Sequence, residues 1–107
     1  MKSDEIVTIY MTFADRAEAE RIGHALVAEK LVACVNILSP VTAIYPWDGA
    51  IQQEQEVAAL AKSTAARFDA VAARVTELHS YDVPCIVAWP VAGIAGPYAQ
   101  WVAQAIG

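Results

Sequence analysis

Five side chains of this sequence carry donor atoms that select copper or zinc over magnesium or calcium. Thioether, thiolate and imidazole groups have this preference, and the chain supplies them at Met11, His24, Cys34, His79 and Cys85. No pair of them stands at a recognised zinc spacing. Met11 and Cys85 fall near the junction expected between the first and last strands, and His79 shortly precedes the last strand. We therefore predict a metal site of His79, Met11 and Cys85, binding copper or another divalent cation.

Each of these residues also has a purely structural interpretation. Cys34 lies in a β-type run, where a thiol is a small core residue, and Met11 ends an apolar strand. His24 lies in the middle of a predicted helix, where a solvated imidazole is common. His79 closes a helix, and the helix dipole favours a partly protonated imidazole there. Two cysteines so far apart in sequence are typical of free, buried thiols in a reducing compartment.

Signatures of catalysis are missing from the sequence. It contains no nucleophile elbow, zinc-protease motif, phosphate-binding loop or dinucleotide-binding loop. A thiol nucleophile at Cys85 with His79 as its base, oriented by Asp82, is the remaining arrangement. Such combinations occur by chance in most chains, so we predict that the protein is not an enzyme and needs no organic cofactor.

Length and charge restrict the classes of partner. The 107 residues fit one domain spanning 1–107. Acidic residues number 12 against 7 scattered basic residues, giving a net charge of -5, which argues against a nucleic-acid partner. No apolar run approaches the ~18–20 residues that span a bilayer, and the start lacks the pattern of a signal peptide. We expect a cytoplasmic protein with no membrane partner.

The hydrophobic pattern predicts four strands and three helices. The strands are expected at residues 6–11, 32–45, 51–62 and 85–89. Asp15 is predicted to cap the first helix with Glu18 three residues later, as in a capping box, and this helix should end near Lys30. Ser63 or Thr64 should cap the second helix. Pro97 favours a helix start at Gly96-Pro97.

The resulting order is βαββαβ followed by a helix. This order predicts a ferredoxin-like α+β fold, with an antiparallel sheet and the helices on one face. Asp48-Gly49 indicates a hairpin turn between the second and third strands. Pro40 cannot donate to a strand ladder, so the second strand should be irregular near Ser39 and Pro40.

The predicted hairpin is too long for the helices to cover. A strand of about 14 residues spans roughly 45 Å, whereas a helix of about 16 residues spans ~24 Å. Toward the tip, Tyr45 and Trp47 continue one alternating face, and Ile44 lies on the other. Apolar side chains on an uncovered hairpin favour pairing with neighbouring copies. Glu54 and Glu56 share one strand face, which is either solvated or turned toward a cleft between subunits.

Several segments, in this order and spacing, closely resemble the CutA family over nearly the whole chain. They are Leu31-Val32-Ala33-Cys34-Val35-Asn36, Ile44-Tyr45-Pro46-Trp47-Asp48-Gly49, Glu56 with the apolar run to Lys62, His79-Ser80-Tyr81-Asp82-Val83-Pro84, and Tyr98-Ala99-Gln100-Trp101.

The resemblance implies a ferredoxin-like subunit in a homotrimer whose strands join across subunits, with an architectural likeness to PII signalling proteins. It also implies a link to divalent-cation tolerance, especially of copper. We expect six residues to lie at the subunit interface or in a cleft beside it. They are Tyr45, Trp47, Glu56, Lys62, Tyr81 and Trp101.

Two departures from the family pattern concern the metal site. The family has been discussed as binding copper through a Cys at the end of the first strand and the His of an H-x-Y motif. His79 occupies the His position, but Met11 stands where the Cys would be. The residue after the Val-Pro pair is usually Glu, and here it is Cys85. A thioether could still ligate Cu(I), and Cys85 could supply a different soft ligand.

Three functions follow as alternatives. The first is a homotrimeric metal-tolerance or metal-response protein. The second is a PII-like sensor that binds a small metabolite between subunits, although only Lys62 and a few arginines are available for an anionic ligand. The third is a structural trimeric scaffold.

Overall fold

The computed structural model describes Lys2 and residues 4–107. Its strands are β1 (Ile6–Phe13), β2 (Cys34–Trp47), β3 (Ala50–Thr64) and β4 (Ile86–Pro90). Its α-helices are α1 (Arg16–Ala28), α2 (Phe68–Leu78) and α3 (Gly96–Ile106), and a single 3₁₀ turn, Ala65–Arg67, precedes α2. The predicted order of elements is confirmed, and the strand ends lie within two residues of the predicted ones.

The strands form one antiparallel sheet in the order β2-β3-β1-β4. The expectation that the first strand lies beside the last is confirmed, since Met11 pairs with Ile86. The first strand continues two residues beyond its predicted end, because Thr12 and Phe13 pair with Ala58 and Val57. The ferredoxin-like α+β prediction is therefore confirmed.

The main core lies between one face of the sheet and helices α1 and α2. Alternate residues of β1 supply its centre: Val7, Ile9, Met11 and Phe13 are at most 1% exposed. Ile22 and Leu26 of α1 and Val71 and Val75 of α2 cover them.

Helix α3 lies on the other face of the sheet, where Val102 and Ile106 pack with Ala33 and Ile6. The prediction that all helices share one face is thus wrong for α3. The alternation of β1 explains this, because Ile6 points away from the face that carries Val7.

Helix capping follows the prediction at α1 and departs from it at α2. The Glu18 backbone N–H donates to Asp15 Oδ1 at 2.8 Å, so the predicted N-cap is confirmed. Neither Ser63 nor Thr64 caps α2, because both still belong to β3 and the 3₁₀ turn follows. The Ser63 hydroxyl instead donates to the Leu31 carbonyl at 2.6 Å.

The β2–β3 hairpin sets the long dimension of the folded chain, whose extents are 45 × 26 × 24 Å. Its register shifts between Ile37 and Pro40, where the sequence predicted an irregularity. The turn has positive φ at Asp48 (51°) and Gly49 (77°), as a type I′ hairpin turn requires. The predicted turn at Asp48-Gly49 is confirmed.

Replacing Gly49 by Ala should destabilise the protein, because a Cβ at positive φ costs about 1–2 kcal/mol. Nothing lies within 4 Å of the added Cβ, so backbone strain is the only cost. Urea denaturation measures the free energy of unfolding. Gly93→Ala is the matched control, since its Cβ also meets nothing within 4 Å and no positive φ is recorded there. Equal effects of the two substitutions would contradict the backbone strain assigned to position 49.

Candidate functional site

A cleft of about 670 Å³ opens on the sheet face that α1 and α2 leave uncovered. It lies between the outer half of the β2–β3 hairpin, the end of β1 and the segment joining α2 to β4. Its side chains are mainly aromatic or acidic. The aromatic ones are Tyr10, Tyr45, Trp47 and Tyr81, the acidic ones are Glu54, Glu56 and Asp82, and Thr12 and Cys85 lie among them.

Strand alternation places these side chains on one face. In β3, Glu56 precedes the core residue Val57 and therefore points to the opposite side of the sheet. Its partner in β2 is Val41, and beyond it Tyr45 pairs with Gln52. In β1, Tyr10 and Thr12 alternate in the same way with core residues.

Two tyrosine–carboxylate hydrogen bonds organise the acidic wall. The Tyr81 hydroxyl donates to Glu56 Oε2 and the Tyr45 hydroxyl donates to Glu54 Oε2, both at 2.9 Å. The hydrogen bond to Glu54 is the main cause that raises the pKa of Tyr45. Burial, and then the hydrogen bond to Glu56, raise the pKa of Tyr81 far above its usual range. Both phenols therefore stay protonated and act as donors.

Cys85 lies at the base of the cleft beside Thr12. Burial raises the pKa of the Cys85 thiol, and the negative charge of Glu56 raises it further, against a hydrogen bond with Thr12 that lowers it. Both cysteines are free, as predicted. The prediction that both are buried is wrong, because Cys85 is exposed and Cys34 is half-buried.

His79 lies behind the cleft with its side chain fully enclosed. Its Nε2 donates to the Thr12 carbonyl at 2.8 Å, and its Nδ1 accepts from the Tyr81 backbone N–H at 3.0 Å. The ring stacks on Phe13 with 5.3 Å between centroids. Both nitrogens are used, which fixes the neutral tautomer with the proton on Nε2. Asp82 does not orient this ring, contrary to the arrangement considered for catalysis.

Glu18 secures the same segment from the helix side. Its Oε1 accepts from the Ala14 N–H at 3.0 Å, and its Oε2 accepts from the Ser80 N–H at 2.9 Å. Burial by itself would raise the pKa of this carboxyl. The donors from Ala14 and Ser80, with a smaller contribution from His79, outweigh burial and lower the pKa below its ordinary value of 4.5.

The structure brings together five of the nine predicted site residues. Tyr45, Trp47, Glu56, Tyr81 and Cys85 all line the cleft.

The other four predicted site residues lie elsewhere. Met11 is 1% exposed in the core, and the side chain of His79 is enclosed. Lys62 pairs with Thr8 and Cys34 toward the far end of the sheet, and Trp101 stacks on Tyr98 in α3. Cys85 directly precedes Ile86, the partner of Met11, so its side chain and that of Met11 point to opposite faces.

Some cleft residues escaped the sequence analysis. Tyr10 was assigned only to a buried strand, and Thr12 lay beyond the predicted end of that strand, although every second residue of a strand covered on one side faces away from the core. Glu18 was recognised as part of a capping box, but its contact with Ser80 depends on the distant end of α2. Strand alternation was a usable signal for Tyr10 and Thr12. Nothing in the local sequence indicated that Glu18 contacts Ser80.

The described residues of this chain do not by themselves fit a metal ion. Within residues 2 and 4–107, no group of three His, Cys, Asp or Glu side chains is arranged to hold one. The thioether of Met11 is in the core and the imidazole of His79 is fully hydrogen-bonded. Cys85 is therefore the one predicted ligand whose side chain reaches the cleft.

None of the helices in the described part of the chain combines the length and apolarity needed to cross a membrane.

The fold and the cleft define a class of protein: ferredoxin-like α+β proteins with an extended hairpin and a third helix on the second face of the sheet. The sequence model described as "CutA1 divalent ion tolerance protein" matches residues 7–105. This chain belongs to that CutA family.

Individual relatives agree with this assignment. The divalent-cation tolerance protein CutA of Thermus thermophilus is 40% identical over 104 residues, covering 97% of this chain and 99% of the relative. The solved structure of the periplasmic divalent cation tolerance protein CutA from Archaeoglobus fulgidus superimposes with a TM-score of 0.92 at 34% identity. That alignment covers 95% of this chain and 99% of that one.

A chloroplastic CutA of Arabidopsis thaliana is 30% identical over 90% of this chain, which spans about half of it (53%). One relative is thus named periplasmic and another chloroplastic, so a cytoplasmic location stays a prediction for this protein. The family is named for tolerance of divalent ions and not for a reaction, which agrees with the expectation of a non-enzymatic role without testing it.

Replacing Glu18 by Gln should reduce the amount by which the free energy of unfolding falls at low pH. Its pKa is lower in the folded than in the unfolded chain, so its stabilisation is complete above about pH 4.5 and is lost as the pH falls through the folded value. The free energy of unfolding should therefore fall less for Glu18→Gln than for wild type between pH 6 and pH 3, measured by urea denaturation. Glu20→Gln, an exposed neighbour, should keep the wild-type slope, and a parallel slope for Glu18→Gln would refute the role of Glu18.

Proposed function

We propose that this protein acts as a homotrimer in divalent-cation tolerance, binding soft metal ions such as copper through sites completed between subunits. The observation that carries the proposal is the uncovered end of the hairpin, which exposes large apolar side chains on both of its sides, Trp47 on one and Ile44 and Ile51 on the other. Ile44 is 66% exposed, Trp47 63% and Ile51 76%.

Assembly would cover these side chains. Large exposed apolar surfaces on a folded chain mark sites of interaction, and aromatic residues such as Trp47 are typical anchors of interfaces. Among the residues that the structure describes, no strand pairs with the outer edge of β4, and its Val87 (43%) and Trp89 (47%) are also exposed. A symmetric oligomer in which hairpins of neighbouring copies pack together would supply partners for both the outer end of the β2–β3 hairpin and the edge of β4.

Metal binding is proposed at Cys85. Its thiol is accessible in the cleft, and Glu56, which contributes to its raised pKa, is close by. Since no described group of three His, Cys, Asp or Glu side chains forms within one subunit, the remaining ligands would come from a neighbouring subunit. This arrangement makes metal affinity depend on assembly.

The cleft also supports a second candidate, a sensor that binds a small molecule between subunits. A volume of about 670 Å³ is in the usual range for small-molecule sites. Among the described lining residues none is Lys or Arg, so an anionic metabolite is not the ligand this cleft favours.

Replacing Trp47 by Ala should loosen the assembly. We expect wild-type protein to sediment as a trimer at micromolar concentration. Truncation of a central interface aromatic costs ~2 kcal/mol or more, so Trp47→Ala should dissociate at higher concentration in sedimentation velocity experiments. Val27→Ala, at an exposed apolar residue of α1, should leave the trimer unchanged. A monomeric wild type would overturn the assembly proposal.

Replacing Cys85 by Ser should weaken Cu(I) binding by about tenfold or more, at least as much as the loss of a supporting partner in a metal site. Binding releases the thiol proton, so wild-type affinity should fall as the pH drops from 8 to 5. Competition against a calibrated Cu(I) chelator measures both. Cys34→Ser is the control, because that thiol contacts Tyr98 of α3 instead. Equal affinities of wild type and Cys85→Ser would exclude this site.

A further inference from the structure

The C-terminal segment of the chain, residues 83–107, carries no charged side chain. All 12 acidic residues, all 7 basic residues and both histidines precede it. Surfaces of soluble domains ordinarily carry about one charged residue in every three or four, and much of this segment lies at the surface. Its large apolar side chains Ile94, Tyr98 and Trp101 are 38%, 37% and 47% exposed. Such an exposed, uncharged surface indicates a place of contact with another molecule.

Two exposed glutamines form the outer ridge of α3. Val102 and Ile106 are buried against the sheet. With about 3.6 residues per turn, Gln100 and Gln104 fall on the opposite side of the helix, one turn apart, and Trp101 lies on one flank of this ridge. The sheet therefore fixes the inner side of α3 and leaves a polar but uncharged outer side with an aromatic flank.

Polar contacts hold α3 in place at the end of the sheet opposite the hairpin turn. Arg67 donates to the Ile106 carbonyl at 2.7 Å, and the Tyr98 hydroxyl lies 3.3 Å from Cys34 Sγ. Ala33, which packs with the buried side of α3, directly precedes the first residue of β2, whereas the turn follows its last residue. Neighbouring copies that pack against the outer end of the hairpin would therefore leave the ridge of α3 uncovered.

A second copy of α3 is the partner that this ridge fits. A glutamine amide both donates and accepts hydrogen bonds, so identical side chains satisfy one another. In an antiparallel pair about a twofold axis, Gln100 of each helix faces Gln104 of the other, and both Trp101 rings lie on the same flank. The small Ala103 on the other flank lets the helices approach closely. A net charge of -5 per chain opposes contact through the charged surfaces, and it equally disfavours an anionic lipid surface.

We propose that α3 is a self-association surface, at which two chains pair antiparallel through Gln100, Gln104 and Trp101. This inference goes beyond the proposed function, because the contact involves neither the hairpin nor Cys85. Joined to a homotrimer, the twofold contact yields a hexamer with three α3 pairs. One helix pair is small for an interface, so we expect pairing at concentrations on the order of a hundred micromolar, above the micromolar range of the trimer.

Sedimentation equilibrium of the full chain, over a concentration series that extends beyond this range, tests the proposal. The mass of the wild-type assembly should double as the concentration rises. Gln100→Glu/Gln104→Glu should prevent the doubling, because four carboxylates would meet across the twofold axis. Gln100→Glu/Gln104→Lys should restore it, since each Glu then faces a Lys of the other chain only when the helices are antiparallel.

Further measurements separate the ridge from general charge and from other occupants. Ala70→Glu/Ala73→Glu adds two carboxylates to exposed positions of α2 and should double in mass as wild type does. The proposal is overturned if wild type never doubles, if the doubly acidic α3 variant doubles equally, or if the Glu/Lys variant does not double. Flotation of wild type with phosphatidylcholine vesicles, without doubling, would identify a lipid surface as the occupant and also overturn it. A trimer that does not double contradicts this inference alone, and a monomer that pairs contradicts the trimer alone.

Discussion

The register shift between Ile37 and Pro40 is the constraint on which the cleft depends. Before it, Val35 and Ile37 pair with Ala61 and Ala59 and lie on the core side of the sheet. After it, the odd-numbered residues change sides, so that Val41 pairs with Glu56 and the hairpin aromatics turn toward the cleft. Without the shift, strict alternation would carry Tyr45 and Trp47 to the other face. Pro40, which has no N–H to donate, marks the position where the ladder tolerates the irregularity.

A second set of interactions holds the opposite wall of the cleft in place. Polar contacts fix the segment after α2 from both sides. His79 joins it to the end of β1 through the Thr12 carbonyl, and Glu18 joins it to α1 through the Ser80 N–H. Tyr81 is thereby held where its hydroxyl reaches Glu56. A histidine that resembled a metal ligand by its chemistry thus acts as a structural connector.

The two faces of the sheet have different roles. One face buries apolar side chains under α1 and α2 and accounts for folding. The other is covered only in part, by α3, and retains aromatic, acidic and thiol groups that a folded monomer has no need to expose. Trp47 and Trp89, about half exposed or more, lie on this second face. The proposed metal site lies on this second face, and the proposed assembly would cover it.

The sequence by itself determined the elements, their order and several local features. The hydrophobic periodicities predicted four strands and three helices, and Asp15, Pro40 and Asp48-Gly49 marked the helix cap, the irregularity and the turn, because each depends on a few neighbouring residues. Local patterns do not fix which face of a strand meets which helix. Only the tertiary structure placed α3 on the second face and Met11 in the core.

Only the tertiary structure, too, used both nitrogens of His79 and joined Glu56 to Tyr81. The physical reason is that strand side chains alternate with a period of two. The register between distant strands therefore decides whether soft or charged side chains face one another. Met11 pairs with Ile86 and not with Cys85, so the thioether and the thiol lie on opposite faces of the sheet.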